Sequence, residues 1–552
     1  MIVTADIEQK SIGNTLLLEQ LALHVDDNEK VAIIGRNGVG KTTLFKLLTR
    51  EDADFSGHIA YRNGARVVAT RQEHHDVSNT RVIDYILGNL PEYADLHRII
   101  ETYPALMGDD LRKITRYSEA LERFGALDYY NVEDRVRQTL DAYQLDDAAD
   151  RPMSTLSGGQ KRFIELIRIE HSHADLALID EPTNHMDAIA KQAFLDWFTT
   201  AKHAVVVITH DRDVLHYVDR IVEIKNHAAS NFTGNYDAYL LQNASRTAAD
   251  LNEYDTVQRR IENIKKQITA AKAKKARWGG TADKKNPFLV IENRLRKELK
   301  ELEAQEKPSF WIDKESVGGL RPNLEESYQK HRAKNIHIRR LSRSDRSREL
   351  LKLENVQVGY DGRALFEPLT FALQTGERLQ VAGRNGVGKT TLVRSIVGSL
   401  HQTPATLLHG AIKPDSQLRM NTYEQEINPS LLTMTLAAAI EHIYDEFDLP
   451  VTAEQIMRLL SDYLFDPYGD REHLVANLSG GQKARLQLIR LFANEPNLLI
   501  LDEPTNHLDL PSIEELEDAL AQYTGALVYI THDSYMSRHL GGQQLSLVPL
   551  PA

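Results

Sequence analysis

The ten residues GRNGVGKTTL occur twice in the chain, at 35–44 and at 383–392. In each copy a short apolar run, predicted to be a buried strand, leads into a glycine-rich turn whose backbone N–H groups can face an anion. A helix is predicted to begin at the Lys-Thr pair. The pattern G-x-x-x-x-G-K-T is typical of a loop that holds nucleotide phosphates, with the lysine on the β- and γ-phosphates and the first threonine on Mg²⁺. The residues predicted to bind nucleotide here are Gly35, Asn37, Gly38, Val39, Gly40, Lys41, Thr42, Thr43, Gly383, Asn385, Gly386, Val387, Gly388, Lys389, Thr390 and Thr391.

An acidic pair follows each loop at the end of an apolar stretch, LALID in the first copy and LLILD in the second. Both stretches are predicted to be buried strands. Asp180 and Asp502 are expected to hold the metal ion, directly or through water. Glu181 and Glu503 are then placed to polarise the water that attacks the γ-phosphate, because phosphoryl transfer depends mainly on positioning and charge compensation.

A histidine recurs at one spacing after the acidic pair, in the segments VITHD and YITHD. A single histidine at a strand end is usually structural, but the identical spacing in the two copies favours a contact with the γ-phosphate for His210 and His532. Gln72, in RQE, and Gln425, in EQE, are predicted contacts of the metal ion and of the attacking water.

The segment LSGGQ also occurs twice, at 156–160 and at 478–482. A serine and two glycines that lead into a helix present N–H groups and a helix dipole to an anion. A domain with its own phosphate loop has little need of a second cradle, so each LSGGQ is predicted to cap the nucleotide bound by the other copy. The residues concerned are Ser157, Gly158, Gly159, Gln160, Ser479, Gly480, Gly481 and Gln482.

Phosphate loop, Gln, LSGGQ, Asp-Glu and His, in this order, resemble the ATP-binding-cassette ATPases. The resemblance implies a head-to-tail pair of cassettes that encloses two ATP molecules, with ATP and Mg²⁺ as cofactors and hydrolysis to ADP and phosphate. Carried over by motif, the first site joins the loop at 35–43 to LSGGQ at 478–482. The second site joins the loop at 383–391 to LSGGQ at 156–160.

The two copies differ where the adenine base would bind. Cassettes commonly stack the base on an aromatic residue near the N-terminus of the domain. The second copy offers Tyr360, in VGYDGRALF, whereas the first has Ile12 at the matching place, in KSIGNTLLL. We therefore expect weaker stacking at the first site, and with it a difference in nucleotide affinity or base selectivity.

Charge is spread unevenly along the chain. Residues 241–350 contain 26 Lys or Arg and 16 Asp or Glu, a net charge of +10, although the whole chain has a net charge of -13. A basic segment therefore separates two acidic bodies. Such a segment suits the phosphate backbone of a nucleic acid, with binding that weakens steeply in salt.

Apolar residues at coiled-coil spacing predict a helical hairpin in the basic segment. The predicted seam consists of Leu251, Tyr254, Val257, Ile261, Ile264, Ile268 and Ala271, and a second helical run carries Ile291, Leu295, Leu299 and Leu302. The tip is predicted near 279–287, and an alternative puts it near 310–322 with 323–345 as the returning helix. A solvated spacer is disfavoured, because a flexible tether would be rich in Gly and Ser. The residues predicted to contact RNA are Arg277, Trp278, Lys284, Lys285, Arg294, Arg332, Lys334, Arg339, Arg340, Arg343 and Arg346.

The tandem layout, EPTNH in both cassettes, GNYDAYL at the end of the first body and the basic linker together resemble the F-type cassette proteins (ABC-F), twin-cassette ATPases that act on ribosomes. The resemblance implies an α/β fold with two P-loop ATP-binding-cassette domains, at 1–240 and 349–552, joined by an α-helical basic linker hairpin at 241–348. Residues 88–111 are either a short ribosome-contacting arm or an elaboration of the helical subdomain.

The same resemblance implies that the linker enters the exit-tRNA site and reaches towards the peptidyl-transferase centre. The partner would be a ribosome, contacted through rRNA and tRNA, and the task would be modulation of translation or protection against antibiotics. We expect a cytoplasmic monomer whose two cassettes pair within one chain.

Two other classes of cassette protein are weighed against this one. A DNA-acting cassette usually inserts very long coiled coils or a zinc hook, and the sequence contains neither. The detached motor of a membrane transporter would leave the basic hairpin unexplained. The chain also has no run of eighteen apolar residues, no signal-peptide pattern and no cysteine, so disulfides and thiolate metal sites are excluded.

Overall fold

The computed structural model divides into two compact units. One contains both cassettes, Met1–Tyr236 and Asn335–Ala552, and the other contains the linker, Asp237–Lys334. The residues that the structure describes are 1–13, 15–71, 79–108, 110–184, 186–276, 287–303, 322, 348–360, 362–399, 407–423, 427–478, 480–506 and 508–550.

The first cassette is built on two sheets. Its strands are β1 (Val3–Ile12), β2 (Thr15–Val25), β3 (Lys30–Gly35), β4 (Ser56–Tyr61), β5 (Val67–Ala69), β6 (Leu176–Asp180), β7 (Ala204–Ile208), β8 (Arg220–Lys225) and β9 (Ala228–Thr233). Within the described residues one sheet has the order β5-β6-β7-β3-β8-β9, parallel except for β9, and the other is antiparallel with the order β2-β1-β4. Every residue of β7 is buried, as expected for a central parallel strand covered on both faces.

Helices complete the first cassette. They are α1 (Lys41–Leu48), α2 (Val82–Gly88), α3 (Tyr93–Leu106), α4 (Leu111–Ala126), α5 (Val132–Ala142), α6 (Gly158–Glu170), α7 (Ala188–Thr200) and α8 (Arg212–Leu215). The segment 88–111 largely forms α3, which packs against α4 through the rings of Tyr93 and Phe124, 5.8 Å apart. This packing is that of a helical subdomain.

The second cassette repeats this plan. Its strands are β10 (Glu349–Tyr360), β11 (Arg363–Ala364), β12 (Leu369–Gln374), β13 (Arg378–Ala382), β14 (Leu407–Pro414), β15 (Met420–Tyr423), β16 (Leu498–Asp502), β17 (Ala526–Ile530) and β18 (Gln543–Ser546). Its helices are α11 (Lys389–Ser399), α12 (Pro429–Leu432), α13 (Leu436–Asp445), α14 (Ala453–Asp462), α15 (Gly480–Phe492), α16 (Leu510–Gln522) and α17 (Ser534–Leu540). The described part of its parallel sheet has the order β15-β16-β17-β13-β18.

The sheet order brings the predicted functional motifs to one edge. Ile208 at the end of β7 is in register with Asp180 on one side and with Ile33 on the other. The carboxyl ends of adjacent parallel strands form a crevice that binds ligands. The phosphate loop after β3, the acidic pair after β6 and the histidine after β7 therefore meet, and the second cassette repeats this with Asp502 opposite Ile530.

The linker unit contains two long helices whose apolar residues pack together. They are α9 (Tyr236–Ala276) and α10 (Pro287–Glu303). Ile264, Ile268 and Leu295 form a buried cluster against which Leu299 and Leu302 pack. The guanidinium of Arg260 on α9 also binds the carboxylate of Glu298 on α10 at 2.7 Å. Both proposed tips lie outside the described residues, apart from the ends at 287 and 322.

Two details of the linker differ from the sequence prediction. Ile291, the first apolar residue named in the second helical run, is 47% exposed, unlike Leu295 in the same helix. One turn beyond the buried cluster, α9 has Ala270, Ala271 and Ala273, whose single methyl groups cover little apolar surface. The helix α9 is also continuous through the domain boundary predicted at residue 240.

Within the described residues, no helix combines the length and the apolar character that crossing a membrane requires.

The buried cluster predicts how the hairpin responds to truncation. Replacing fully buried Ile264 by Ala should destabilise the helix pair by about 2–4 kcal/mol, because a cavity remains where the side chain packed. Backbone amides of α9 should then exchange with solvent at least about thirtyfold faster, as measured by hydrogen exchange with mass spectrometry. Ile291→Ala is the matched control and should change exchange less than about threefold; equal effects of the two variants would contradict this packing.

Candidate active site

The two phosphate loops have the same geometry. The Lys41 ammonium donates to the carbonyl oxygen of Gly35 at 2.6 Å, and the Lys389 ammonium donates to that of Gly383 at 2.8 Å. Burial lowers the pKa of both lysines. In each loop the buried lysine ammonium therefore lies against backbone carbonyl groups of the loop. This position suits a phosphate ligand.

Glycine is required at the start of each loop. Gly35 has a φ of +151°, and a Cβ there would lie 2.6 Å from the carbonyl oxygen of Ile224. Gly383 has a φ of +152°, and a Cβ there would lie 2.8 Å from a methyl group of Val387. Any side chain at these positions would push the loop out of shape.

An oxygen-donor set for a metal ion lies beside the first loop. The hydroxyl of Thr42 donates to the carboxylate of Asp180 at 3.2 Å. No group of three or more His, Asp or Glu side chains suited to a metal occurs among the described residues. The oxygens of Thr42 and Asp180 fit Mg²⁺, which is usually held by one or two protein oxygens together with substrate phosphates. Gln72 and Gln425 lie outside the described residues.

The glutamates predicted to polarise water have a strained backbone. Glu181 and Glu503 both have a φ of +47°, a left-handed conformation that non-glycine residues rarely adopt. Their N–H groups donate to the carbonyl oxygens of Ile208 and Ile530, at 2.8 and 2.9 Å. The same strain at equivalent positions in both cassettes is typical of a functional site.

Each of these glutamates faces the histidine of its own cassette. The Nε2 atom of His210 lies 3.4 Å from the Glu181 carboxylate, and that of His532 lies 3.3 Å from the Glu503 carboxylate. Burial raises the pKa of Glu181 and lowers that of His210. Burial likewise raises the pKa of Glu503 to about 7 and lowers that of His532 to about 4.

Buried polar atoms in this region can accommodate a ligand. Among the described residues, neither ring nitrogen of His210 has a hydrogen-bond partner, although both are buried. A buried polar atom without a partner is costly unless a ligand or water completes it. The site therefore fits a ligand that carries hydrogen-bonding oxygens, such as a γ-phosphate.

The cassettes contact each other through a reciprocal pair of hydrogen bonds. The carboxylate of Asp509 in the second cassette accepts from the backbone N–H of Asn37 in the first phosphate loop at 2.8 Å. The carboxylate of Asp187 in the first cassette accepts from the N–H of Asn385 in the second loop at 3.0 Å. Each aspartate thus ties one cassette to the nucleotide loop of the other.

Both aspartates also cap a helix of their own cassette. Asp187 accepts from the N–H of Ala190 in α7, and Asp509 accepts from that of Ser512 in α16, each at 3.0 Å. These hydrogen bonds hold the pKa of both carboxyls below the ordinary value, although burial acts to raise it. The sequence prediction missed both residues, whose only signal is their place in the repeated NHMD and NHLD.

The first predicted composite site is assembled across this contact. A Cβ on Gly480, in the second LSGGQ, would lie 2.8 Å from the Cβ of Asn37 in the first loop. The second LSGGQ therefore lies directly against the first phosphate loop.

In the first LSGGQ, the Ser157 hydroxyl accepts from the Gln160 N–H at 3.2 Å, and the Gln160 side chain accepts from the Ser157 N–H at 3.0 Å. These two side chains thus form a capping box for α6.

One cavity of about 310 Å³ gathers the catalytic candidates of both cassettes. Its lining includes Glu181, His210, Glu503 and His532.

Tyr360, the residue predicted to stack on adenine, lies at the edge of the second loop. It is half exposed, and its hydroxyl lies 3.3 Å from that of Thr391. Ile12, at the matching place in the first cassette, is 58% exposed. Ser479 lies outside the described residues.

Comparison with known proteins agrees with this geometry. A family model described as "ABC transporter" matches residues 18–184 and 366–506, and a second model with the same description matches 222–286. The chain is 29% identical to the Probable ATP-binding protein YheS of Haemophilus influenzae, over 98% of this chain and 78% of the relative. It is 26% identical to ABC transporter F family member 2 of Arabidopsis thaliana, over 96% of this chain and 74% of the relative.

A similar fold occurs among solved structures. The crystal structure of archaeal ribosome recycling factor aABCE1, in complex with ribosomal stalk protein aP1, aligns with a TM-score of 0.55. The alignment covers 98% of this chain and 87% of that chain at 16% identity. This likeness concerns the fold.

The assignment of the two glutamates is tested by neutralising both. In a Glu181→Gln/Glu503→Gln protein, phosphate release at saturating ATP should fall at least about a hundredfold, because the groups that polarise water are gone. Nucleotide binding, followed with a fluorescent ATP analogue, should be preserved. Glu92→Gln, at an exposed carboxylate paired with Arg123, is the control and should hydrolyse normally. Normal hydrolysis by the double variant would show that other groups polarise the water.

The contact between LSGGQ and the opposite loop is tested with a single methyl group. Gly480→Ala should slow ATP hydrolysis about five- to a hundredfold, because the new Cβ collides with Asn37 and overpacking of this kind costs about 1–3 kcal/mol. Gly88→Ala, at the end of α2 and outside the nucleotide motifs, is the control, since its Cβ would have no neighbour within 4 Å. Equal rates for Gly480→Ala and the unchanged protein would contradict the composite site.

Proposed function

The chain belongs to the ABC-F family of ATP-binding-cassette ATPases, and from this premise we propose that it binds the ribosome in its closed, ATP-bound form and leaves after hydrolysis. In this proposal one chain, acting as a cytoplasmic monomer, supplies both cassettes. Closure of the cassettes sets the position of the linker, and hydrolysis releases it. The ribosomal contacts are rRNA and tRNA.

The observation that carries the proposal is the basic helical hairpin. Lys266, Lys272 and Lys274 are exposed on α9, and Arg294 is exposed on α10. The apolar seam holds the two helices together, so these cations are presented by an ordered element rather than by a flexible tether. Exposed cations on an ordered element fit the phosphate backbone of RNA.

The tip of the hairpin is proposed to reach the peptidyl-transferase region from the tRNA exit site. Val290 and Ile291, at the tip end of α10, are 66% and 47% exposed. These exposed apolar side chains are available for van der Waals contact with a partner at this end of the helix. The other residues proposed to contact RNA lie outside the described residues: Arg277, Trp278, Lys284, Lys285, Arg332, Lys334, Arg339, Arg340, Arg343 and Arg346. Modulation of translation and protection from antibiotics are both compatible with contacts in this region.

Hydrolysis is proposed to follow from the geometry of each site. Lys41 and the loop N–H groups hold the phosphates, and Thr42 with Asp180 would hold Mg²⁺. When bound, Mg²⁺ would supply positive charge that stabilises the transferring phosphoryl group. The Glu181 carboxylate accepts a proton from the attacking water, and His210 bonds an oxygen of the γ-phosphate.

The second site repeats these roles in the second cassette. Lys389 takes the phosphates, Thr390 with Asp502 takes the metal ion, Glu503 polarises the water and His532 contacts the γ-phosphate. LSGGQ of the opposite cassette closes each site, and the reciprocal aspartates bring the two halves together. Closure and nucleotide binding are thereby one event.

The proposed partner is tested by sedimentation. The Glu181→Gln/Glu503→Gln protein is centrifuged with purified ribosomes through a sucrose cushion, with and without ATP. ATP-dependent pelleting supports the proposal. Failure to pellet at low salt with ATP would overturn it, and parallel mixtures with duplex DNA and with lipid vesicles would identify a DNA-acting cassette or a transporter motor instead.

The exposed lysines of α9 should govern the salt dependence of that binding. Lys266→Gln, Lys272→Gln and Lys274→Gln together should weaken pelleting and reduce the slope of log affinity against log salt by about two, because three phosphate contacts are lost. Lys202→Gln, Arg394→Gln and Arg458→Gln remove the same charge from exposed positions on the cassettes and serve as the control. An unchanged slope in the α9 variant would move the RNA contact to another surface.

A further inference from the structure

A buried ionic cluster joins the cassettes outside the nucleotide motifs. Arg212, at the start of α8 in the first cassette, lies with its guanidinium 3.6 Å from the carboxylate of Glu514 and 3.5 Å from that of Glu517. Both glutamates belong to α16 of the second cassette. All three side chains are at least nine-tenths buried. The guanidinium also lies over the ring of Tyr535, 5.0 Å from its centroid.

The cluster connects two parts of the first ATP site that come from different cassettes. Arg212 follows the loop residue His210 by two positions. Glu514 and Glu517 lie on the helix that begins after Asp509, and Asp509 accepts the hydrogen bond from the first phosphate loop. Arg212 therefore fixes the helix behind Asp509 to the loop that carries His210.

The second site lacks this arrangement. Matching the two cassettes by His210 and His532 pairs Arg212 with Ser534. Matching them by Asp187 and Asp509 pairs the two glutamates with Gln192 and Leu195. An ion pair at the first site thus has no counterpart at the second, although the nucleotide motifs are duplicated.

A weaker contact occupies the equivalent place beside the second site. The Ser534 hydroxyl, near His532, donates to the carboxylate of Asp213 at 3.0 Å. That carboxylate also binds the ammonium of Lys191 on α7, the helix that begins after Asp187. Ser534 thus contributes a hydroxyl group here, next to the stacked rings of Tyr535 and His216, whereas Arg212 forms ion pairs with two carboxylates.

We propose that Arg212 is a positioning residue of the first ATP site, which holds Asp509 and its helix in place and keeps this site closed more tightly than the second. The inference rests on the proposed assignment of the two composite sites and is independent of the ribosomal partner. When the cassettes separate, the Arg212 guanidinium loses its attraction to the two carboxylates, an attraction that is stronger in the buried interface than in water. The cluster therefore favours closure on the side of the first site, and the second site opens first after hydrolysis.

The proposal is tested by comparing the two sites in one chain without ribosomes. Arg212→Met is introduced into the Glu503→Gln protein, where only the first site hydrolyses ATP, and into the Glu181→Gln protein, where only the second does. We expect the KM for ATP at the first site to rise about tenfold or more, with kcat changed less than about threefold, and the KM at the second site to change less than twofold. Arg212→Lys keeps the positive charge, so the KM for ATP at the first site should stay close to that of the parent protein.

Two further variants distinguish positioning from general damage. Glu514→Gln with Glu517→Gln in the Arg212→Met background removes the carboxylate charges that face residue 212 and should retain the selective rise in KM at the first site. Arg137→Met, at an exposed arginine on the first cassette, should leave both sites unchanged. An equal rise in KM at both sites, or no rise at either, would overturn the proposal. Loss of hydrolysis in both parent proteins would instead refute the assignment of the ATP sites.

Discussion

The structure depends on two carboxylates that each serve two partners. Asp187 and Asp509 cap a helix of their own cassette and accept a hydrogen bond from the phosphate loop of the other. Each is only 2% exposed, so the N–H partners must be present for the charge to be tolerated. A displacement of either loop therefore disturbs the aspartate that caps a helix of the opposite cassette. Neither composite site can be assembled without the other cassette.

The two glutamates proposed to polarise water depend on this assembly for their conformation. A left-handed backbone at Glu181 and Glu503 costs energy that the flanking parallel strands must supply. Hydrogen bonds from their N–H groups to the end of the neighbouring strand hold this conformation. The carboxylate is thereby turned towards the histidine of its own cassette instead of continuing along the strand. The sheet, not the loop alone, sets the direction of these two carboxylates.

Much of the site was predictable because its chemistry is local in sequence. Glycines in the phosphate loop, the acidic pair at a strand end and the repeated histidine each carry their own signal, and the apolar seam of the linker follows from spacing alone. The roles of Asp509 and Arg212 were not predictable, because they depend on which surfaces meet across the interface. The exposure of Ile291 has a similar cause, since it depends on what the facing helix offers at that turn.

The most direct test of the account is whether one chain closes on itself. The chain has no cysteine, so an introduced pair reports on a single contact. Asp213 and Ser534 lie on opposite cassettes with side-chain oxygens 3.0 Å apart. Oxidation of an Asp213→Cys/Ser534→Cys protein, read on a non-reducing gel, should give a disulfide within monomeric chains that forms faster with ATP. Cross-links only between chains, or none with ATP, would contradict the account.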